Sequence, residues 1–197
     1  MLSAEKARMK PRELRCAIED LSALHPYLYV EPYAVAFVAV TGRYSVSPAN
    51  FLVECEGVKS RWLGKARRLT LVVSWAEETI DKAERLRATM PARSLVELAA
   101  VSVALLLVHR VAPLGTLNVM EHGGRADYRS SVVRRVLEVS GTENLADLGR
   151  RRREKVAQAL ANPFRWDAYV VVCAFCVDGH RVSISGHRWE ESTYAQA

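Results

Sequence analysis

The chain has 197 residues, half of them hydrophobic and a quarter charged, which suits one domain or a domain with a small subdomain and excludes a disordered chain. Its 28 Lys and Arg outnumber 22 Asp and Glu, a net charge of +6 that makes a polyanionic partner plausible. Four cysteines give no disulfide framework. No apolar run reaches the roughly 20 residues that span a bilayer. The longest, LAAVSVALLLV, lies between Glu97 and His109 and reads as a buried helix. The charged N-terminus lacks a signal peptide's apolar stretch, so a cytoplasmic protein with no membrane partner is expected.

In chain order, residues 1–24 look helical, with Pro11 near a helix start. YAVAFVAV at 33–40 is apolar throughout and fits strand or helix. FLVECEGV (51–58) and RLTLVVSW (68–75) read as strands, joined by a basic loop that carries Trp62. Ser74 with Glu77 makes a capping box for a helix that Pro91 ends, and Ser94 with Glu97 makes another. This second helix runs to about Val111.

The stretch 116–131 holds a strand, a Gly123-Gly124 turn and a second strand, and VVRRVLEVSG at 132–141 is a third. Asn144 caps a helix that ends near Asn162-Pro163. AYVVVCAFCV at 168–177 is continuously apolar, the pattern of a strand buried on both faces. Asp178-Gly179 is a hairpin turn, and HRVSISGH at 180–187 is the partner strand.

From Ser94 onward the order is therefore helix, three strands, helix, strand, strand. With Asp127 in GRADYRS and Glu138 in VLEVSG, this region resembles the PD-(D/E)xK nuclease superfamily, over about residues 94–177. The resemblance implies an α/β (α+β) fold: an αβββαβ restriction-endonuclease-like core at 94–197, preceded by an α/β extension or subdomain at 1–93. It implies a metal-dependent hydrolase of phosphodiester bonds in nucleic acid, DNA in preference to RNA. It further implies Mg²⁺ or Mn²⁺ held by Asp127 and Glu138, with Glu97 as a helical third ligand.

The family's lysine falls at Ser140, a departure from the motif, and Lys155 on the following helix is the substitute. Gln158 resembles a helical glutamine of one branch. Because of Ser140, an inactive nuclease-like subunit that binds nucleic acid or protein is the alternative. A homodimer or a larger complex suits either reading.

The residues can be weighed without the family. Two convergent carboxylates suffice for a hard cation that keeps several waters, and such a cation activates water against a phosphate. Glu138 interrupts an apolar strand, so it must face solvent, pair with a cation or bind a metal. On a helical wheel Leu145, Leu148, Val156 and Ala159 share a face, with Lys155 at its edge. Arg150, Arg151 and Arg153 point elsewhere, towards phosphates or solvent.

Other candidates are weaker. Cys173 and Cys176 form a C-x-x-C inside a strand, where positions three apart face opposite ways. His122 sits beside the turn before Asp127, His180 and His187 flank the last strand, and Trp62 can stack on a base or on its own domain.

Overall fold

The computed structural model describes residues 12–112, 114–120, 126–130 and 132–189. They form a mixed α/β structure around one eight-stranded sheet. The strands are β1 (Arg12–Ala17), β2 (Ala49–Glu56), β3 (Arg68–Ser74), β4 (Leu117–Val119), β5 (Tyr128–Ser130), β6 (Arg135–Thr142), β7 (Asp167–Ala174) and β8 (His180–His187). The helices are α1 (Leu21–Leu24), α2 (Glu31–Thr41), α3 (Glu78–Thr89), α4 (Ala92–Val111) and α5 (Leu148–Leu160). Across the sheet the order is β1-β3-β2-β8-β7-β6-β5-β4.

Residues 92–174 run α4-β4-β5-β6-α5-β7, the expected αβββαβ order. The strands β4, β5 and β6 form an antiparallel meander; α5 then crosses over so that β7 lies parallel to β6. A crossover is needed because parallel neighbours cannot be joined by a tight turn. The two strands of the β7–β8 hairpin are antiparallel, and the apolar run of β7 lies buried between β6 and β8. Residues 12–93 continue the sheet: β2 lies parallel to β8, β3 antiparallel to β2, and β1 parallel to β3.

The sheet has two unequal faces. On one, Leu137, Val139, Tyr169 and Val171 join the large core that contains α2 and α4. On the other, Val136, Val170 and Val172 meet Ala159 of α5 in a smaller core. Alternation along β6 therefore turns Glu138 and Ser140 towards α5. The helix α4 is long and apolar enough to cross a membrane by length and composition, but most of its residues are buried. It packs against α2 on one side and β6 and β7 on the other.

Several expectations from the sequence fail locally. Residues 12–17 form the edge strand β1, not a helix; pairing with β3 overrides the helix-forming composition of RELRCA. The segment 33–40 is helical, within α2. Ser74 closes β3 and caps nothing, since α3 starts behind Glu77. Helix α4 begins at Ala92 behind Pro91, so Ser94 lies inside its first turn and Glu97 is no capping residue. Leu145 belongs to a 3₁₀ turn and is 43% exposed, off the buried face of α5. The Asn144 cap is present: its side chain accepts from the Ala146 N–H at 3.0 Å.

Candidate acidic site between β5, β6 and α5

The site begins with strand register. In the β5–β6 pair Tyr128 lies opposite Leu137 and Arg129 opposite Val136. One step further sets Asp127 opposite Glu138, and directly opposed residues share a face. The Asp127 carboxylate bends back on the strand, where its Oδ2 accepts the Val139 N–H at 2.7 Å. Among the described residues no hydrogen bond engages its Oδ1.

Glu138 is fully buried, and its Oε2 has no hydrogen-bond partner. Its Oε1 accepts from Lys155 Nζ at 2.5 Å. Lys155 also donates to Gln158 Oε1 at 3.1 Å. The helix thus brings its ammonium to the carboxylate, and Gln158, three residues on along one side of α5, accepts a second bond from that ammonium.

Burial pushes the Glu138 carboxyl up to about 7, helped by the Asp127 charge and opposed by Lys155. Burial also raises Asp127, while the Val139 N–H and then Lys155 act against it. Both carboxyls thus hold protons more tightly than free side chains do, because desolvation, with the Asp127 charge acting on Glu138 and the Glu97 charge on Asp127, outweighs the opposing ammonium and N–H.

One pleat further along β6 lies a second cluster. Ser140 lies there, on the same strand and two residues after Glu138. Arg151 Nη1 donates to Ser140 Oγ at 3.1 Å and to Glu97 Oε1 at 3.3 Å. The Glu97 Oε2 accepts the Gly141 N–H at 2.8 Å. Glu97 therefore reaches the sheet from α4, but both its oxygens are engaged beside Ser140 and Gly141. Gly141 has no room for a side chain, since a Cβ there would lie 2.3 Å from Val96 O. That close approach brings α4 near enough for Glu97 to reach β6.

Arg151 is the site residue that sequence reasoning missed, having been assigned to phosphate or solvent. The signal was available: it is four residues before Lys155, and so one turn away on the same helix face. Arg150 does face outward, paired with Asp147 at 3.0 Å and Glu154 at 2.8 Å. Gln158 is exposed apart from its bond to Lys155.

The remaining candidates lie elsewhere. His122 falls outside the described residues. His180 stacks on Phe51 with ring centroids 4.6 Å apart and bonds Ser45 Oγ at 3.0 Å; burial lowers its pKa to about 4. His187, at the other end of β8, bonds Ser185 Oγ at 2.8 Å. Trp62 packs against the main core with the Arg12 guanidinium 5.6 Å from its ring, as a tryptophan of its own domain would. Cys173 is buried in β7 with its thiol towards Ala100 O, and Cys176 lies beyond the strand's end.

The donor set can be tested against a divalent cation. An orphaned, buried carboxylate oxygen on Glu138 and an unengaged one on Asp127 are hard-oxygen donors of the kind Mg²⁺ or Mn²⁺ takes. Among the described residues no third His, Cys, Asp or Glu joins them in a ligand group. By donor chemistry alone, Asp127 and Glu138 are the residues that would hold such an ion. Comparison with protein-family models, with curated proteins and with solved structures found no match, so the functional reading rests on this geometry.

Proposed function

We propose that the protein is a cytoplasmic, divalent-metal-dependent nuclease of the PD-(D/E)xK type whose lysine has moved from the strand to the following helix. One observation carries the reading: Asp127 and Glu138 occupy opposed register positions, and Lys155 reaches Glu138 from α5 at 2.5 Å. The αβββαβ order and the placement of Gln158 beside Lys155 are further support. Asp127 and Glu138 would hold the Mg²⁺ or Mn²⁺, which when bound acidifies water and neutralises charge on a phosphate.

The chain's own residues have distinct parts. Glu138 and Gln158 position the Lys155 ammonium, and that fixed charge favours an anionic phosphate group at the site. Arg151, its charge paired with Glu97 and its guanidinium bonded to Ser140, lies one helical turn away. The basic surface of a chain with net charge +6 supports a nucleic acid as the substrate, DNA ahead of RNA.

The test is Mn²⁺-dependent cleavage of mixed DNA and RNA substrates by wild type and by Asp127→Ala. Cleavage by wild type alone is expected. Equal behaviour of the two proteins removes the enzymatic reading.

One specific observation favours a second reading. Ser140, Arg151 and Glu97 close on one another where the motif lysine would stand. A nuclease-like subunit that binds nucleic acid or a protein partner without cutting would have this arrangement. It predicts salt-dependent retention on DNA with no cleavage under any divalent metal.

A further inference from the structure

At the end of the sheet where β6 and β7 begin and β2 and β8 finish, there is a cavity of about 230 Å³. We propose that this cavity binds an anion of the phosphate class. The inference goes beyond the acidic pair: along β6 Arg135 precedes Glu138 by three residues, about 10 Å at strand rise.

The floor is made by two glycines. Gly57 follows β2 with φ +65°, and a Cβ there would lie 2.4 Å from Gly186 O. A Cβ on Gly186 would lie 2.8 Å from both Gly57 O and Tyr169 Cε1. Neither position accepts a side chain without backbone movement, so the two segments approach closely at this end of the sheet. The φ value alone would disfavour most residues at Gly57.

The walls are cationic. Lys59 and Arg188 both line the cavity and are exposed. Among the described residues neither side chain has an acidic partner. The Arg135 guanidinium sits 5.1 Å from the Tyr169 ring and donates to its hydroxyl at 2.9 Å. Having accepted that bond, the Tyr169 hydroxyl keeps its own proton for another acceptor. Among the described residues Asp167 is the one carboxylate lining the cavity; its Oδ2 lies 3.8 Å from Arg135, and its Oδ1 accepts the Trp189 N–H at 3.1 Å.

Three full positive charges therefore face one negative charge in a polar cavity large enough for a phosphate group. Among the described residues two of those cations, Lys59 and Arg188, have no acidic partner, and Arg135 is held against an aromatic face. That combination recognises phosphate oxygens, which accept several charge-assisted hydrogen bonds at once. The phosphate can belong to a nucleic-acid backbone or be free in solution.

The experiment uses the full chain in EDTA, so that divalent metal chemistry plays no part and failure of the nuclease reading leaves it intact. Three proteins are compared: wild type, the double variant Lys59→Gln with Arg188→Gln, and a charge-matched control, Arg85→Gln with Arg93→Gln. The control residues are exposed and do not line the cavity. One arm follows a fluorescent single-stranded oligonucleotide by anisotropy from low to physiological salt. The other follows inorganic phosphate by ³¹P line broadening.

In at least one arm, the cavity variant should lose roughly fivefold or more in affinity at low salt while the control stays near wild type. In the oligonucleotide arm the salt slope should also fall, by about 0.7 for each phosphate contact removed from a single strand. A loss confined to the oligonucleotide arm identifies a backbone phosphate, and one confined to the phosphate arm identifies a free ion. Equal affinities for all three proteins overturn the proposal, as does a wild type that binds neither probe.

Discussion

Replacing Glu138 by Gln is expected to stabilise the fold in mild alkali while abolishing any metal-dependent activity. The carboxyl is fully buried and its pKa lies at about 7, against 4.5 for a free glutamate. A group raised in this way favours the folded state most below pH 4.5, and that contribution is lost as pH rises through 7. Two to three units at roughly 1.4 kcal/mol each amount to about 3 kcal/mol at pH 8. Glutamine mimics the protonated form and still offers Lys155 an acceptor oxygen. The variant should therefore come close to wild type near pH 5 and exceed it at pH 8, by roughly 6–12 °C in Tm for a chain of this size. Thermal unfolding of both proteins at the two pH values measures the difference. A variant less stable than wild type at pH 8 would refute the reasoning, because the Lys155 ion pair would then outweigh the cost of burial.

Other substitutions probe the same cluster. Lys155→Met leaves a buried carboxylate without its cation and should cost about 1–3 kcal/mol at pH 8 and much less at pH 5; denaturant titration at both values tests this, and adding Glu138→Gln should rescue it. Glu97→Ala strips the acceptor from the Gly141 N–H and from Arg151, so a loss of about 1–3 kcal/mol is expected. A double-mutant cycle with Arg151→Met should then show coupling, and strict additivity would mean that the two do not act together. Gly141→Ala places a Cβ 2.3 Å from Val96 O and should cost about 1–3 kcal/mol of stability, seen as a lower urea midpoint, whereas an unchanged midpoint would contradict the close packing of α4 on β6.

The second half of the fold was legible because its signals are local. An unbroken apolar run marked β7, Asp178-Gly179 marked its hairpin, and Asn144 marked the start of the helical segment before α5. What failed depended on distant partners. RELRCA has helix-forming residues, yet it completes the sheet beside β3, and nothing within six residues encodes that pairing. Two capping boxes matched in spacing but not in position, since α3 starts beyond Ser74 and α4 starts before Ser94.

The site divides the same way. Asp127, Glu138 and Lys155 could be placed from strand order and a helical wheel, and they meet on one face of the sheet. The engagement of Glu97 with Gly141 could not, because it follows from how closely a glycine lets α4 approach β6. Arg151 was grouped with Arg150 and Arg153 as facing phosphates or solvent. A 3.6-residue period separates them, turning Arg150 outward to Asp147 and Glu154 and Arg151 inward to Ser140.

The central claim is that Asp127 and Glu138 together take up a hard divalent cation. Calorimetric titration of Mn²⁺ into wild type, Asp127→Asn and Glu138→Gln tests it without reference to any substrate. One binding event per chain in wild type, lost in both variants, is the predicted result. A wild type that takes up no ion, or variants that bind it as well as wild type does, would contradict the claim.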